Sequence, residues 1–460
     1  MERELAGTNA RPWNPALATS RPAAVQRARL VLVVMCAGMF LVLLDVTVVN
    51  VAIPSITSGL RTTTAGIQWV VDGYAVALAS LLLAGGALGD RLGHRQVVVA
   101  GLAIFGAASA GCNDAPAIGV LVAARATQGV VAALLLPGSI AAIADAYPDR
   151  TAQARALGVW AGVSSLALLA GPLLGGLLVS ALGWRAVFWV NPPFVAICLV
   201  GVLAWVRPSR GRSRRLDPAG LALGMIGLAA VVYAVIITAT STTAAVISGA
   251  VAVCSIAALV VVERHVARPL LPPAMFARPA FRAANTSALV MNLTTNGLLF
   301  LLSRYLQSVL GHSALVAGVM LLPLFLPPVI ASPLAGRLTA RSGPRPVMLG
   351  AAAVASAGQL CLLLVTPAAG YLRLLPALVG VGLGIGMFTA PVVTTAIRAV
   401  PPERSGLASG VNNTARQAAP RLASPSTAQS PAPPHKRATS LPPCGISGSR
   451  PPSGGSLWQD

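Results

Sequence analysis

The sequence predicts an all-α polytopic membrane protein, and three observations carry that reading. Of its 460 residues 55% are hydrophobic and 10% charged, and the mean hydropathy is +0.76, outside the range of soluble domains. Apolar runs recur along the chain, each near the roughly 20 residues that a helix needs to cross a hydrocarbon core. Arginines gather in every second connection between those runs, the asymmetry that insertion leaves in a multi-pass chain.

Residues 1–29 are polar and proline-bearing, and the run after them is too long for a signal-peptide core and has no convincing cleavage site, so it reads as a retained first span behind a tail. Twelve spans follow from hydropathy, at about 30–53, 66–86, 97–115, 117–144, 156–180, 186–206, 218–238, 244–263, 283–309, 314–337, 346–366 and 372–398. The connections after the even-numbered spans carry Arg91 and Arg95, Arg150 and Arg155, a cluster from Arg207 to Arg215, Arg264 to Arg282, Arg341 and Arg345, and Arg404. The others hold little beyond Arg61, Arg185 and Arg373. The positive-inside rule therefore places the N-terminus and the arginine-rich connections in the cytoplasm, with the chain in the cell membrane.

The net charge of +21 does not point to nucleic acid, because the arginines are dispersed between apolar runs and build no single basic face. The six cysteines contain no CxxC pair and read as small packing residues, so neither a disulfide framework nor a metal site is implied. With no catalytic cluster, phosphate-cradling glycine loop or ATP-binding motif, an enzyme and a cofactor are not expected.

Three ionisable residues interrupt the apolar runs. Asp45 lies in "LVLLDVTVVNVAIP" (41–54), where a carboxylate costs about 2.5–3.5 kcal/mol on insertion scales and marks a functional site. Asp72 lies in "QWVVDGYAVA" and Arg125 in the fourth span, with Gln128 and Gly129 on the same helical face. An unpaired guanidinium there needs a carboxylate, a carbonyl or water. There is also an internal repeat: "GALGDRLGHR" (86–95) and "GRLTARSGPR" (336–345) share two glycines, a leucine and two arginines, and each follows a span that enters the cytoplasm. Gly86 permits close helix approach, Gly93 permits a positive φ, and Asp90 suits a helix N-terminus or an arginine. Such duplicated halves are typical of secondary transporters.

Several strings resemble the major facilitator superfamily, in particular its drug:proton antiporters of the fourteen-helix group. They are "LDVTVVNVAIP" (44–54), "GALGDRLGHR" (86–95), "RATQGVVAALLLP" (125–137), "GVSSLALLAGPLLGG" (162–176), "WRAVFWVNPP" (184–193) and "GLASGVNNTARQ" (406–417). The resemblance implies a major facilitator fold: a six-helix bundle over 30–206, a basic loop with two inserted helices over 207–263, and an incomplete second bundle over 264–417, with twelve of fourteen spans present. It further implies export of hydrophobic or cationic small molecules in exchange for protons. Asp45, Asp72 and Arg125 would carry the coupling, with Asp45 the first choice as partner of Arg125 and a purely structural ion pair as the alternative; Asp45 is expected to face a central cavity. Gly86, Asp90, Arg91, Gly93 and Arg95 would form the gating loop, in which His94 departs from a position usually basic. Gly162, Gly171, Pro172, Gly175 and Gly176 would form the antiporter motif.

After Gln417 the chain departs from the resembling pattern. Residues 418–460 are rich in proline, serine and arginine and predict disorder. Read from one base earlier, the codons of "APRLASPSTAQSP" (419–431) permit a helix-like "APLGVAVYGAIA", so a frameshift near codon 418 is expected, and resequencing that region tests it. A metabolite importer of the same superfamily and a truncated membrane protein that does not transport are the rival readings.

Overall fold

The computed structural model describes residues 15–208, 217–238, 241–266, 269, 271–312, 314–364 and 371–423. Its α-helices are α1 (Pro15–Gly59), α2 (Thr64–Leu92), α3 (His94–Asn113), α4 (Ile118–Ala146), α5 (Arg150–Leu182), α6 (Ala186–Trp189), α7 (Asn191–Trp205), α8 (Pro218–Ile237) and α9 (Thr242–His265). They continue as α10 (Pro273–Ala277), α11 (Pro279–Arg304), α12 (Ala314–Met320), α13 (Leu322–Ser342), α14 (Pro344–Leu360), α15 (Leu375–Arg398) and α16 (Ser405–Ala423). Eleven stretches of described helix are long and apolar enough to cross a membrane, one of them running through α6 and α7 and one through α12 and α13, and α8 adds a shorter apolar one over Pro218–Ala234, which agrees with the hydropathy reading. The first helix begins at Pro15, inside the segment read as a tail, and α16 continues past Gln417 to Ala423. The rest of the 418–460 segment lies outside the described residues.

Helices start where side chains satisfy the free amides of the first turn. Thr63 caps α2, Asp149 caps α5 by accepting from Ala152 N at 2.7 Å, and Ser241 caps α9. The expected span at 186–206 is broken between α6 and α7, because Pro192 and Pro193 lack amide hydrogens and open the first turn of a new helix behind Asn191.

The repeat seen in the sequence is a repeat of structure. Gly93 joins α2 to α3 with φ 95°, and Gly343 joins α13 to α14 with φ 82°. Each donates its amide to the carbonyl four residues back, Gly89 O and Thr339 O, both at 3.0 Å. The left-handed φ is what demands glycine at these two positions.

Helices α1–α7 pack as one bundle and α11–α16 as a second, while α8 and α9 pair with each other and lean on α2. The arginine-bearing ends meet on one side of the molecule: Arg27 Nε donates to Trp205 O at 2.8 Å, Arg95 Nη2 to Leu203 O at 2.7 Å and Arg278 Nη1 to Ala399 O at 2.8 Å. Arg185 and Trp184 mark the opposite side, where Arg185 Nε donates to Asn113 O at 3.0 Å.

Candidate ion-coupling site, gate and central cavity

Arg125 forms an ion pair with Asp45, so the first and fourth spans supply the two charges. Its Nη1 also donates to Gln128 Oε1 at 2.7 Å, one turn along the same helix, and its Cζ lies 4.5 Å from the centre of the Tyr74 ring. Asn191 Nδ2 donates to Asp45 Oδ1 at 2.9 Å and lies 3.1 Å from Ser109 Oγ, which accepts from Gln128 Nε2 at 2.7 Å. Asp45 and Arg125 are 2% exposed, Asn191 1%, and Ser109 and Gln128 0%. Both charges are therefore paired and hydrogen-bonded inside the first bundle, the condition under which a membrane interior tolerates them.

The other expected coupling residue stands apart from this pair. Asp72 precedes Tyr74 by two residues, which is about 200° round a helix, so it faces away from Arg125. It shares its face of α2 with Trp69 and Val76, of which Trp69 stacks on Tyr233 of α8 with ring centres 6.2 Å apart.

The loop expected to gate does two different jobs. Asp90 accepts from the amides of Gly406 at 3.0 Å and Leu407 at 2.9 Å, so its carboxylate caps the first turn of α16 in the other bundle. Gly86 lies so close that a Cβ there would be 2.9 Å from the Gly406 carbonyl carbon. Arg95 instead ties the loop to α7 of its own bundle, and Arg91 is exposed. His94 Nε2 lies 3.4 Å from Asp90 Oδ1. Asp90→Asn leaves one acceptor for two amides and removes the charge, a loss of about 1–2 kcal/mol. Hydrogen exchange at Gly406 and Leu407 should then speed up about tenfold; unchanged exchange would show that the carboxylate does not hold this contact.

The second copy of the repeat makes the corresponding contact without a carboxylate, since Ala340 stands where the first copy has Asp90. Gly336 meets Gly158 of α5, where a Cβ on Gly158 would be 2.7 Å from Gly336 Cα. Arg398 Nε adds a 3.5 Å contact to Gln153 Oε1 near the start of α5. Two glycine contacts, α2 with α16 and α5 with α13, thus join the bundles on the arginine-rich side.

Structure divides the antiporter motif. Gly162 faces Pro333 of the other bundle, where a Cβ would lie 2.9 Å from the proline ring, whereas Gly175 faces Val48 and Val51 of α1 and Gly171 faces Thr47. Pro172 is exposed and nothing lies within 4 Å of a Cβ on Gly176. One string therefore serves a contact between bundles and another inside the first bundle.

Between the bundles lies a cavity of about 510 Å³, lined among others by Met39, Tyr74, Trp160, Asn292, Phe325 and Arg416. Asp45 is not among its described lining residues, which corrects the expectation that it faces the cavity. Packing the carboxylate against three donors in the first bundle, Arg125, Asn191 and Gln128 Nε2 at 3.4 Å, satisfies it better than an open wall does. Tyr74 belongs to both places, with its ring against Arg125 and a position among the residues lining the cavity.

The profile of the Major Facilitator Superfamily matches residues 35–424. The chain belongs to that superfamily. It is 35% identical over 387 residues to the multidrug resistance protein Stp of Mycobacterium tuberculosis, an alignment covering 82% of this chain and 71% of that protein. It is 39% identical over 404 residues to the puromycin resistance protein pur8 of Streptomyces alboniger, covering 84% and 78%. Among solved structures it superposes on the human organic anion transporter MFSD10 with a TM-score of 0.65 over 86% of this chain and 92% of that one, at 16% identity, a likeness of fold alone. The chain is thus a multi-pass membrane transporter of the superfamily and not an enzyme.

Within the superfamily fold, sequence reasoning singled out Asp45, Arg125 and Gln128 but missed Ser109, Asn191 and Tyr74. Asn191 stood in the quoted "WRAVFWVNPP", where a polar residue ahead of two prolines in an apolar span was the available signal. Ser109 carried none, because a serine flanked by alanines is ordinary in a membrane helix.

Proposed function

We propose that the chain is a proton-coupled antiporter of the fourteen-helix drug-export group, which moves hydrophobic small molecules out of the cell by alternating access. The observation that carries the coupling is the buried Asp45–Arg125 ion pair, one side chain away from the cavity wall through Tyr74. A proton on Asp45 would cancel the charge that holds Arg125 and so alter the support of Tyr74. The positive-inside rule makes the arginine-rich side cytoplasmic. With both glycine contacts closed there, this conformation has its cavity shut from the cytoplasm.

Two further observations support the reading. The relatives described above are named for resistance to drugs or antibiotics. The paired helices α8 and α9 lie between the bundles in sequence, as expected for the two inserted helices of the group.

The test is efflux of a hydrophobic fluorophore from cells or vesicles containing the full chain. Efflux should collapse when an uncoupler dissipates the proton gradient. Efflux that continues unchanged after uncoupling would overturn proton antiport.

A further inference from the structure

We propose that the central cavity selects amphipathic molecules that carry one negative charge, and that Arg416 binds that charge. As a statement about what is carried, this rests on the export reading above.

Arg416, partly buried on α16, is the one charged side chain among the described residues lining the cavity, which include no aspartate, glutamate, lysine or histidine. Asp45, which lies behind the Tyr74 ring of the cavity wall, is already committed to Arg125. The Arg416 guanidinium makes no hydrogen bond or ion pair with any described residue. A cation on the wall of a mostly apolar cavity near the middle of a membrane protein calls for a counter-charge. Its planar fork of donors fits a carboxylate, sulfonate or phosphate through two parallel hydrogen bonds.

The remaining wall sets the rest of the molecule. Met39, Trp160 and Phe325 offer apolar and aromatic surface to an apolar body. Asn292 and Asn296 of α11 spend an amide hydrogen on their own helix, at Ala288 O (2.9 Å) and Asn292 O (2.8 Å). Their amide oxygens therefore remain for hydroxyl or N–H groups of a ligand. A cationic amphiphile in the same space would meet Arg416 with no carboxylate to offset the repulsion, so the cavity disfavours the cationic half of the sequence expectation.

The test compares dansylglycine, an anion, with dansylcadaverine, a cation that has the same fluorophore, on the full chain in nanodiscs. Energy transfer from the cavity tryptophan Trp160 reports binding. Dansylglycine should bind at least about tenfold more tightly, the worth of one charge-assisted bidentate contact. R416Q should remove that preference and R416K should keep most of it, while neutral dansylamide binds alike to all three proteins and reports an intact cavity. Equal or tighter binding of dansylcadaverine, or a preference unchanged in R416Q, overturns the proposal. The preference of the unaltered protein decides the matter even if R416Q does not insert. Anion binding without anion efflux would support this assignment and overturn the antiport reading.

Discussion

Asp45→Leu is expected to destabilise the protein by about 3–5 kcal/mol, because it leaves the Arg125 guanidinium buried without its carboxylate. Arg125 is 2% exposed and cannot turn to water without opening the first bundle. Asp45→Asn is the milder change. It keeps an oxygen that can accept from Asn191, now at 2.9 Å, and removes only the charge and the site of protonation. The asparagine variant should fold and insert, yet lose efflux driven by a pH gradient. Thermal unfolding in detergent and efflux in vesicles separate the two effects. Asp45→Leu combined with Arg125→Leu should be less damaging than the sum of the single changes, since the double variant buries no orphan charge. Unchanged gradient-driven efflux in Asp45→Asn would reduce the pair to a structural tie.

Gly86→Ala should push the transporter towards the state open on the arginine-rich side. A Cβ at Gly86 would be 2.9 Å from the Gly406 carbonyl carbon, and a backbone group cannot move aside by changing rotamer, so α2 and α16 must separate. Overpacking of this kind costs about 1–3 kcal/mol, which shifts the balance between closed and open forms by about 5- to 150-fold. A cysteine introduced at Ser409, which is 1% exposed in the closed contact, reports the change by thiol labelling from that side. Labelling should rise at least about tenfold. Gly176→Ala is the control, because nothing lies within 4 Å of its Cβ although it belongs to the antiporter string. Labelling that stays unchanged in Gly86→Ala would remove this contact from the gate.

The glycines show how far local sequence can be read. Gly93 and Gly343 were legible because a positive φ is a property of one residue and its turn, and the repeat marked both positions. Gly162 and Gly171 were legible as small residues but not as contacts. Which neighbour each one meets depends on how α5 is rotated between α1 and α13, and a chain without neighbours does not encode that rotation in nine residues.

The sequence by itself determined the apolar spans, the side on which their arginines collect, the repeat, and that Asp45 and Arg125 each needed a partner. Hydropathy, charge bias and the cost of an unpaired buried charge act residue by residue, so they survive in one dimension. Only the tertiary structure decided that Asp45 lies behind Tyr74 and outside the described cavity lining, that Asp72 shares its face of α2 with the Trp69 that stacks on α8, that Asn191 and Ser109 complete the network, and that Arg416 stands in the cavity wall with no carboxylate among the described lining residues. An apolar helix offers lipid, a neighbouring helix and a cavity nearly the same residues. The choice among them is made by packing between helices distant in the chain.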